Sequence, residues 1–562
     1  MKIQIKINLF LFLSFIFWAF IYPNHILFTE QLSLFLYSSD YWGQYAVQPG
    51  GWAAYCGNFL AQFYINRWAG AFIQTFFVAV LLALSSLILK KAGAKSGIRW
   101  VAMLPALLLT ALQCDNYFTP GDSLSLICPF ALTLLYMSIK QSLARRLAFT
   151  LAIVPVYLFS GAAATCCLYV ACMLYELLYV KDAWKYSTPA WIVAAVLLPY
   201  AWQSVYLTPN EKLFDILTYP LVDGIKYIPH LLLAFTPFCI LTYGILYQKR
   251  LTVGISGSFF FILALTGCGY YLFSKVYDRL EEQKFGMNLA AFQNEWDQVL
   301  KISERVKKPD QYTAYYTNLA LAMKGELPDK MFRYSQTDEN GLFLIRKWDD
   351  FNSRYGSDFY YHTGIINEAI RWIYDAHIVR RQGMDYHTLT RLAVWNKEGG
   401  YEPVAGKYFD ILEGTLMYRS WSKWKRNASV PQREKSTIIP EEFYIGGREI
   451  IADMAWHYDN YPDNRMMLDY LLCYLLLKNE LEKFLNLFNT GYQPSSDELP
   501  RAYQEALLFI AGMGKTDIQD YPIPLTVMQR YQAFNSMATK GDEAGLKKKF
   551  GDTWWYYSWK KK

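Results

Sequence analysis

The chain has 562 residues, of which 53% are hydrophobic, 18% aromatic and only 18% charged; this excludes disorder as its main state and allows one large or two ordinary domains. Its net charge of +7 lies entirely in the first half: residues 1–273 hold sixteen Lys/Arg and nine Asp/Glu, leaving thirty-nine of each for the remainder. A neutral second half has no field for gripping a phosphate backbone, so no nucleic-acid partner is expected.

Apolar segments separated by short basic clusters fill the first half, and several approach the roughly 20 residues that cross a bilayer core. In chain order they cover 8–27, 69–89, 100–112, 124–139, 147–160, 164–180, 190–207, 230–247 and 251–273. Nine crossings are expected, making residues 1–273 a transmembrane domain. The opening segment follows Lys2 and Lys6 and lacks a small-residue cleavage site, so it reads as a retained start-transfer helix. The stretch 147–180 is divided at Ser160-Gly161-Ala162 into two spans, because Arg145/Arg146 before it and Lys181/Lys185 after it both belong on the inner face. A single tilted helix there would invert everything downstream. Glu176, the one acid inside these limits, reads as reaching the interface near Lys181.

Sidedness follows from the loop cations. Alternate loops carry thirteen Lys/Arg in one set (Lys2, Lys90, Arg145, Lys181 and Lys249 among them) and only Arg67, Lys212 and Lys226 in the other. Cations flanking short loops stay in the cytoplasm, which puts the amino terminus there and everything after Phe273 on the far side, the periplasm of a bacterial cell.

The longest outer loop, 28–68, is rich in aromatics such as Phe35, Tyr41, Trp42, Trp52 and Phe59, and turns at Gln48-Pro49-Gly50-Gly51. Its flanks predict amphipathic helices along the membrane surface, although aromatic rings at that depth are also usual in any membrane protein. A short first helix, this long outer loop with acids near its start, many later spans and a periplasmic tail resemble the layout of GT-C type glycosyltransferases. That resemblance implies transfer of a sugar from a lipid-phosphate carrier, with Asp40 as catalytic base and Glu30 second in rank. A carboxylate beside the acceptor hydroxyl would take its proton as the sugar leaves the phosphate. Asp115 and Asp122, around Phe118-Thr119-Pro120-Gly121, could meet an acceptor or a metal. Lys212 and Lys226, on a loop with Glu211, Asp215 and Asp223, could meet the carrier phosphate. The chain has no Asp-x-Asp pair, the commonest acidic signature of sugar transferases.

After Phe273 the sequence turns polar and its apolar residues fall at helical spacing, as in Leu289, Phe292, Trp296, Val299 and Leu300. Ala314 to Ala322, then Gly325 and Asp329-Lys330-Met331, resemble the helix, turn and helix of a tetratricopeptide repeat. Two further stretches are similar: Asn464 to Leu472 running into Leu481 and Phe484, and Leu392 to Leu416 with Gly400-Tyr401 at its turn. Copy spacing is irregular, so a degenerate array is expected. The fold class is therefore all-α: a polytopic transmembrane bundle of about nine spans, then a soluble TPR-like domain over 274–562. The whole chain resembles an uncharacterised family of polytopic membrane proteins in the Bacteroidota, on Tyr360-Tyr361-His362-Thr363-Gly364, Ala405-Gly406-Lys407-Tyr408-Phe409, Tyr461-Pro462-Asp463-Asn464-Arg465 and Leu499 to Ala506.

Other motifs argue against cofactors and metals, and none is expected. Seven of nine cysteines lie in or beside apolar spans, and Cys166-Cys167 lacks ligand spacing; Cys56 and Cys114, both near the outer face, are the one pair that could bond. The six histidines form no i, i+4 pair. Gly512-Met513-Gly514-Lys515-Thr516 imitates the end of a phosphate loop, but Phe509 occupies the position of its first glycine. Two basic-aromatic stretches, Tyr418 to Arg426 and the tail from Lys547, read as rings packed inside with cations in water, or else as contacts with lipid headgroups. The functional expectation is an inner-membrane protein of cell-envelope biogenesis that transfers a lipid-linked sugar near Asp40. The alternative is a membrane-anchored scaffold holding a periplasmic protein partner.

Overall fold

A computed structural model describes residues 2–94, 101–180, 188–217, 225–248, 267, 269–345, 350–379, 383–429, 450–492 and 499–561. Every regular element among them is a helix, as the sequence spacing requires. The chain divides into two units: Met1–Arg279 with Glu413–Trp421, and Leu280–Leu412 with Ser422–Lys562.

In the first unit, α1 (Lys2–Ile16) runs through a π turn, Phe17–Ile21, and breaks at Tyr22 before α2 (Pro23–Gln31). Pro23 opens α2 because its missing N–H would be unbonded there anyway. The Ile7–Ile21 stretch and α2 meet at 71°. The long loop holds two helices, α3 (Ser39–Ala46), capped by Ser38, and α4 (Gly51–Ala61), entered through Gly50 at φ 73°, while the expected helical flank around Phe35 is not helical. Then follow α5 (Arg67–Lys91), α6 (Met103–Gln113), α7 (Pro120–Tyr136), α8 (Ser142–Leu151), α9 (Ile153–Tyr179), α10 (Pro189–Trp202) and α11 (Ile228–Gln248).

The expected nine crossings are not found. Three helices among the described residues are long and apolar enough to cross a membrane: α5, α9 and Ile228–Ile245 of α11, or four with the bent pair counted as one. With 11 and 14 residues, α6 and α10 rise only about 17 and 21 Å, short of a hydrocarbon core of roughly 30 Å. Hydropathy counts apolar residues in the turns along with those in the helices, and so overestimates the length of a span. Most of 251–273 lies outside the described residues.

The helix α9 is not straight. Arg145 and Glu176 are 31 residues apart, which along a straight helix would separate them by about 46 Å, yet the Arg145 Nε donates to Glu176 Oε1 at 2.9 Å. Tyr169 Oη likewise donates to the Phe149 carbonyl at 2.6 Å. Both pairings centre near residue 160, and there Gly161 has φ 79° and ψ 178°, a conformation open essentially to glycine alone. The chain reverses at Gly161, where the sequence divides it.

Contacts sort the turns of this unit to two ends. At one end Lys91 Nζ donates to the Met137 carbonyl (3.2 Å) and Ser138 Oγ (2.8 Å), Tyr179 Oη to the Ala92 carbonyl (2.9 Å), and Arg145 Nη1 to the Ile139 carbonyl (2.8 Å). At the other, Gly50 N donates to the Tyr157 carbonyl (3.2 Å), Trp202 Nε1 to the Val47 carbonyl (2.9 Å) and Ser125 Oγ to the Ser160 carbonyl (3.0 Å). At that second end α4 lies directly on the start of α7: a Cβ on Gly57 would sit 2.1 Å from the Gly121 nitrogen.

The second unit is a succession of helical hairpins. Asp350–His362 and Ile366–Val379 turn through Gly364 (φ 93°), Tyr386–Glu398 and Glu402–Glu413 through Gly400 (φ 85°), and Arg465–Lys478 and Leu481–Gly491 through Asn479 (φ 58°). Two of the three stretches that resemble tetratricopeptide repeats are thus real helix pairs. The first is not: Gln311–Met323 is followed by Leu327–Lys330, only 4 residues long, and then a 3-10 turn. Pro328 and a neighbouring Asp329 start a helix there, but nothing in the following sequence sustains its apolar spacing. The phosphate-loop look-alike is a helix end, with Gly514 at φ 73° and Lys515 paired to Glu482 at 2.5 Å. In the tail, Trp554 and Trp555 are buried and donate to the carbonyls of Leu476 (3.0 Å) and Glu505 (2.7 Å), while Lys560 and Lys561 stay exposed.

Two predictions follow from this packing. Gly161→Ala puts a Cβ on a backbone conformation closed to it, and should cost about 1–3 kcal/mol, read as a lower melting midpoint of the detergent-solubilised chain. In the second unit, burial raises the Glu505 carboxyl from 4.5 to about 7, against the opposing pull of Arg501. The protonated form is favoured by the fold, so this contribution, on the order of 3 kcal/mol, is whole below about pH 4.5 and lost as pH rises through 7. Glu505→Gln should flatten the neutral-to-alkaline limb of a stability–pH curve, and an unchanged limb would contradict the assignment.

Candidate functional site

The six site residues read from the sequence belong to loops and short helices of the first unit, and local structure accounts for most of them. Asp122 completes a capping box at the start of α7: its Oδ2 accepts from Thr119 N and Thr119 Oγ1, both at 2.8 Å. Asp115 is buried and turns back on its own loop, with Oδ1 accepting from Tyr117 N at 3.0 Å. Asp40 is exposed in the first turn of α3, where a negative charge favours the helix dipole. Lys212 ends the exposed 3-10 turn Asn210–Lys212, and Lys226 is exposed with its ammonium 5.2 Å from the Tyr227 ring centre.

Glu30 is different. It is only 2% exposed, and Tyr418 Oη donates to its Oε2 at 3.3 Å. Tyr418 belongs to Glu413–Trp421, the segment of the second half that packs with the first unit. On the same helix, His25 meets the Gln113 carbonyl oxygen at 3.0 Å and the Asn116 side chain. The acid ranked second by sequence is therefore the enclosed one, and its partner lies 388 residues away, beyond any local pattern.

A second charged cluster sits at the opposite end of the unit. Glu176 is 0% exposed, and Lys181, near which the sequence places it at the interface, lies outside the described residues. Its Oε1 accepts from Arg145 Nε and Nη2 and from Tyr136 Oη (2.8 Å), and its Oε2 from Arg146 Nε (3.1 Å) and Nη2 (2.6 Å). Arg145 and Arg146, read from the sequence as loop cations, are themselves 4% and 9% exposed. The guanidinium of Arg145 also lies over the rings of Tyr136 (5.0 Å) and Tyr175 (5.6 Å). The reason is electrostatic: a carboxylate in an apolar hairpin cannot remain ionised alone, and two guanidinium forks from the facing arm supply the missing solvation. The available signal was an acid inside an apolar run preceded by an Arg-Arg pair at hairpin distance.

Among the described residues no three His, Cys, Asp or Glu side chains are grouped as metal ligands. Cys56 is exposed and Cys114 buried, and both are free thiols, so the bond considered between them is not made.

Residues 2–561 match DUF6057, a family of unknown function. The chain belongs to that family. The match spans essentially all of it, in agreement with an uncharacterised family, and carries no support for the glycosyltransferase or tetratricopeptide resemblances. No curated protein and no solved structure matches the chain.

Removing the carboxylate of Glu176 leaves two buried guanidinium groups without their counter-charge. Glu176→Leu should therefore destabilise the protein by roughly 3–5 kcal/mol, whereas Asp40→Asn, which removes only a favourable charge at the start of α3, should cost less than about 1 kcal/mol. Equal melting of the two variants would show that the cluster does not hold the hairpin.

Proposed function

We propose that this is an integral protein of the cytoplasmic (inner) membrane, with its amino terminus in the cytoplasm and its second unit in the periplasm. In this reading the membrane half is an anchor, and the TPR-like succession of hairpins holds a periplasmic protein partner in cell-envelope biogenesis. The sidedness is supported by the division of cations between alternate loops of the sequence, thirteen against three.

The observation that carries the scaffold reading is how the outer-end acids are used. Asp122 caps a helix and Asp115 bonds within its own turn, while Asp40 is exposed, so each of the acids expected around a lipid-linked sugar has a local structural use. The second reading, sugar transfer from a lipid-phosphate carrier, is favoured by one feature, the enclosed Glu30 beside the Tyr418 hydroxyl. A buried carboxylate within reach of a hydroxyl has the setting of a general base.

Complementation of a deletion strain separates the two. Asp40→Asn and Glu30→Gln chains are expected to restore the wild-type envelope with no accumulation of lipid-linked saccharide. Failure of Glu30→Gln, accompanied by such accumulation, would reject the scaffold in favour of the transferase. A phosphatase fused after Phe273 should be active, and an inactive fusion would place that point in the cytoplasm.

A further inference from the structure

Two arginines of the second unit are buried to the same depth and used differently. Arg354, 1% exposed, has its fork filled: Nη1 and Nη2 donate to the two oxygens of Asp385 at 3.2 and 3.1 Å. Arg391, 2% exposed, donates through Nε alone, to Asp358 Oδ1 at 3.3 Å. Its Nη1 and Nη2 are buried and meet no acceptor among the described residues. A buried cationic donor without an acceptor has lost its water and gained nothing directed in return, so packing alone gives no reason to keep this fork. The rings of Phe292 (4.5 Å) and Trp395 (5.9 Å) lie against the guanidinium and attract its charge, but they offer no lone pair.

The fork is also held in position. Asp358 holds it at Nε, and Asp358 is itself held by Tyr316 Oη, which donates to Oδ2 at 2.6 Å and accepts from Asn288 Nδ2 at 2.9 Å. Asn288 stands about one turn before Phe292, the last residue of the helix Arg279–Phe292. Phe292 is 41% exposed, and an exposed ring at a helix end changes rotamer within nanoseconds, so it can cover the fork and uncover it. We propose that Arg391 is a binding site for a ligand carboxylate, which enters past the Phe292 ring and takes the two Nη groups as Asp385 takes those of Arg354. A planar monoanion matches an end-on guanidinium fork, whereas a phosphate dianion would bring a second charge toward Asp358. All of these residues lie in the second unit, so the inference stands apart from the membrane reading.

The test is fluorine NMR on the full chain in detergent micelles, with trifluoroacetate as the probe and trifluoroacetamide as its uncharged counterpart. The trifluoroacetate resonance should broaden with protein and sharpen again when acetate is added, while the amide stays sharp. Phe292→Ala removes the cover and should tighten probe binding at least about threefold, because moving the ring no longer opposes it. Arg391→Lys keeps a cation beside Asp358 but removes the fork, and should weaken binding at least about tenfold. Absence of broadening with both the wild type and Phe292→Ala would overturn the site, and equal binding by Arg391→Lys would place the probe elsewhere. Should Arg391→Lys melt well below the wild type, the Phe292→Ala comparison still decides, since unchanged or weaker binding there overturns the proposal. Displacement by inorganic phosphate as readily as by acetate would overturn the carboxylate class. A tripeptide competing at least about tenfold better than acetate, and failing when amidated at its carboxyl terminus, would assign the carboxylate to a partner chain; competition equal to acetate would assign it to a small acid.

Discussion

The first unit depends on a charge being neutralised where water is excluded. Glu176 lies in the middle of an apolar sequence, and an isolated carboxylate there would cost far more than a small domain has to spare. Arg145 and Arg146 solve the problem only if the chain doubles back, and it doubles back at Gly161, where the backbone takes a conformation that side chains forbid. Turn and ion cluster therefore require each other. With two guanidiniums on one carboxylate, both carboxylate oxygens and several of the facing N–H donors are satisfied, the condition under which buried charge can be tolerated at all.

That closure has a wider effect. With residues 145 and 176 held together, the turn at 161 is free to meet Gly50 of the first long loop, and the remaining turns fall into two groups at opposite ends. Asp122 and Asp115 meet the backbone donors of their own turns, at Thr119 N and Tyr117 N.

The second unit is held differently. Its polar interior is made of matched pairs rather than a charge surplus. Arg354 meets Asp385 at 3.1 Å, and Arg391 meets Asp358, whose other oxygen accepts from Tyr316 Oη at 2.6 Å. Burial pushes the tyrosine hydroxyls at 315, 316 and 503 well above their ordinary range, so they act there as donors rather than acids. Specific hydrogen bonds between successive hairpins take the place of the disulfides that a single described cysteine, Cys473, could not provide.

Local and compositional facts were available from the sequence alone: the all-helical character, the apolar first half, the turns at Pro49-Gly50, Gly161 and Gly400, and the change to polar helices after Phe273. They are legible because helix periodicity, glycine conformation and burial preference act over a few residues. Helix lengths were not legible, since hydropathy does not mark where a helix ends, and nine apolar stretches became three or four helices of sufficient length. Nor could sequence rank Glu30 above Asp40 by enclosure, or move Arg145 and Arg146 from a loop into the interior. Those outcomes depend on which side chains meet across 388 and 31 residues, and such meetings are set by tertiary packing, where the cost of an unpaired buried group is finally decided.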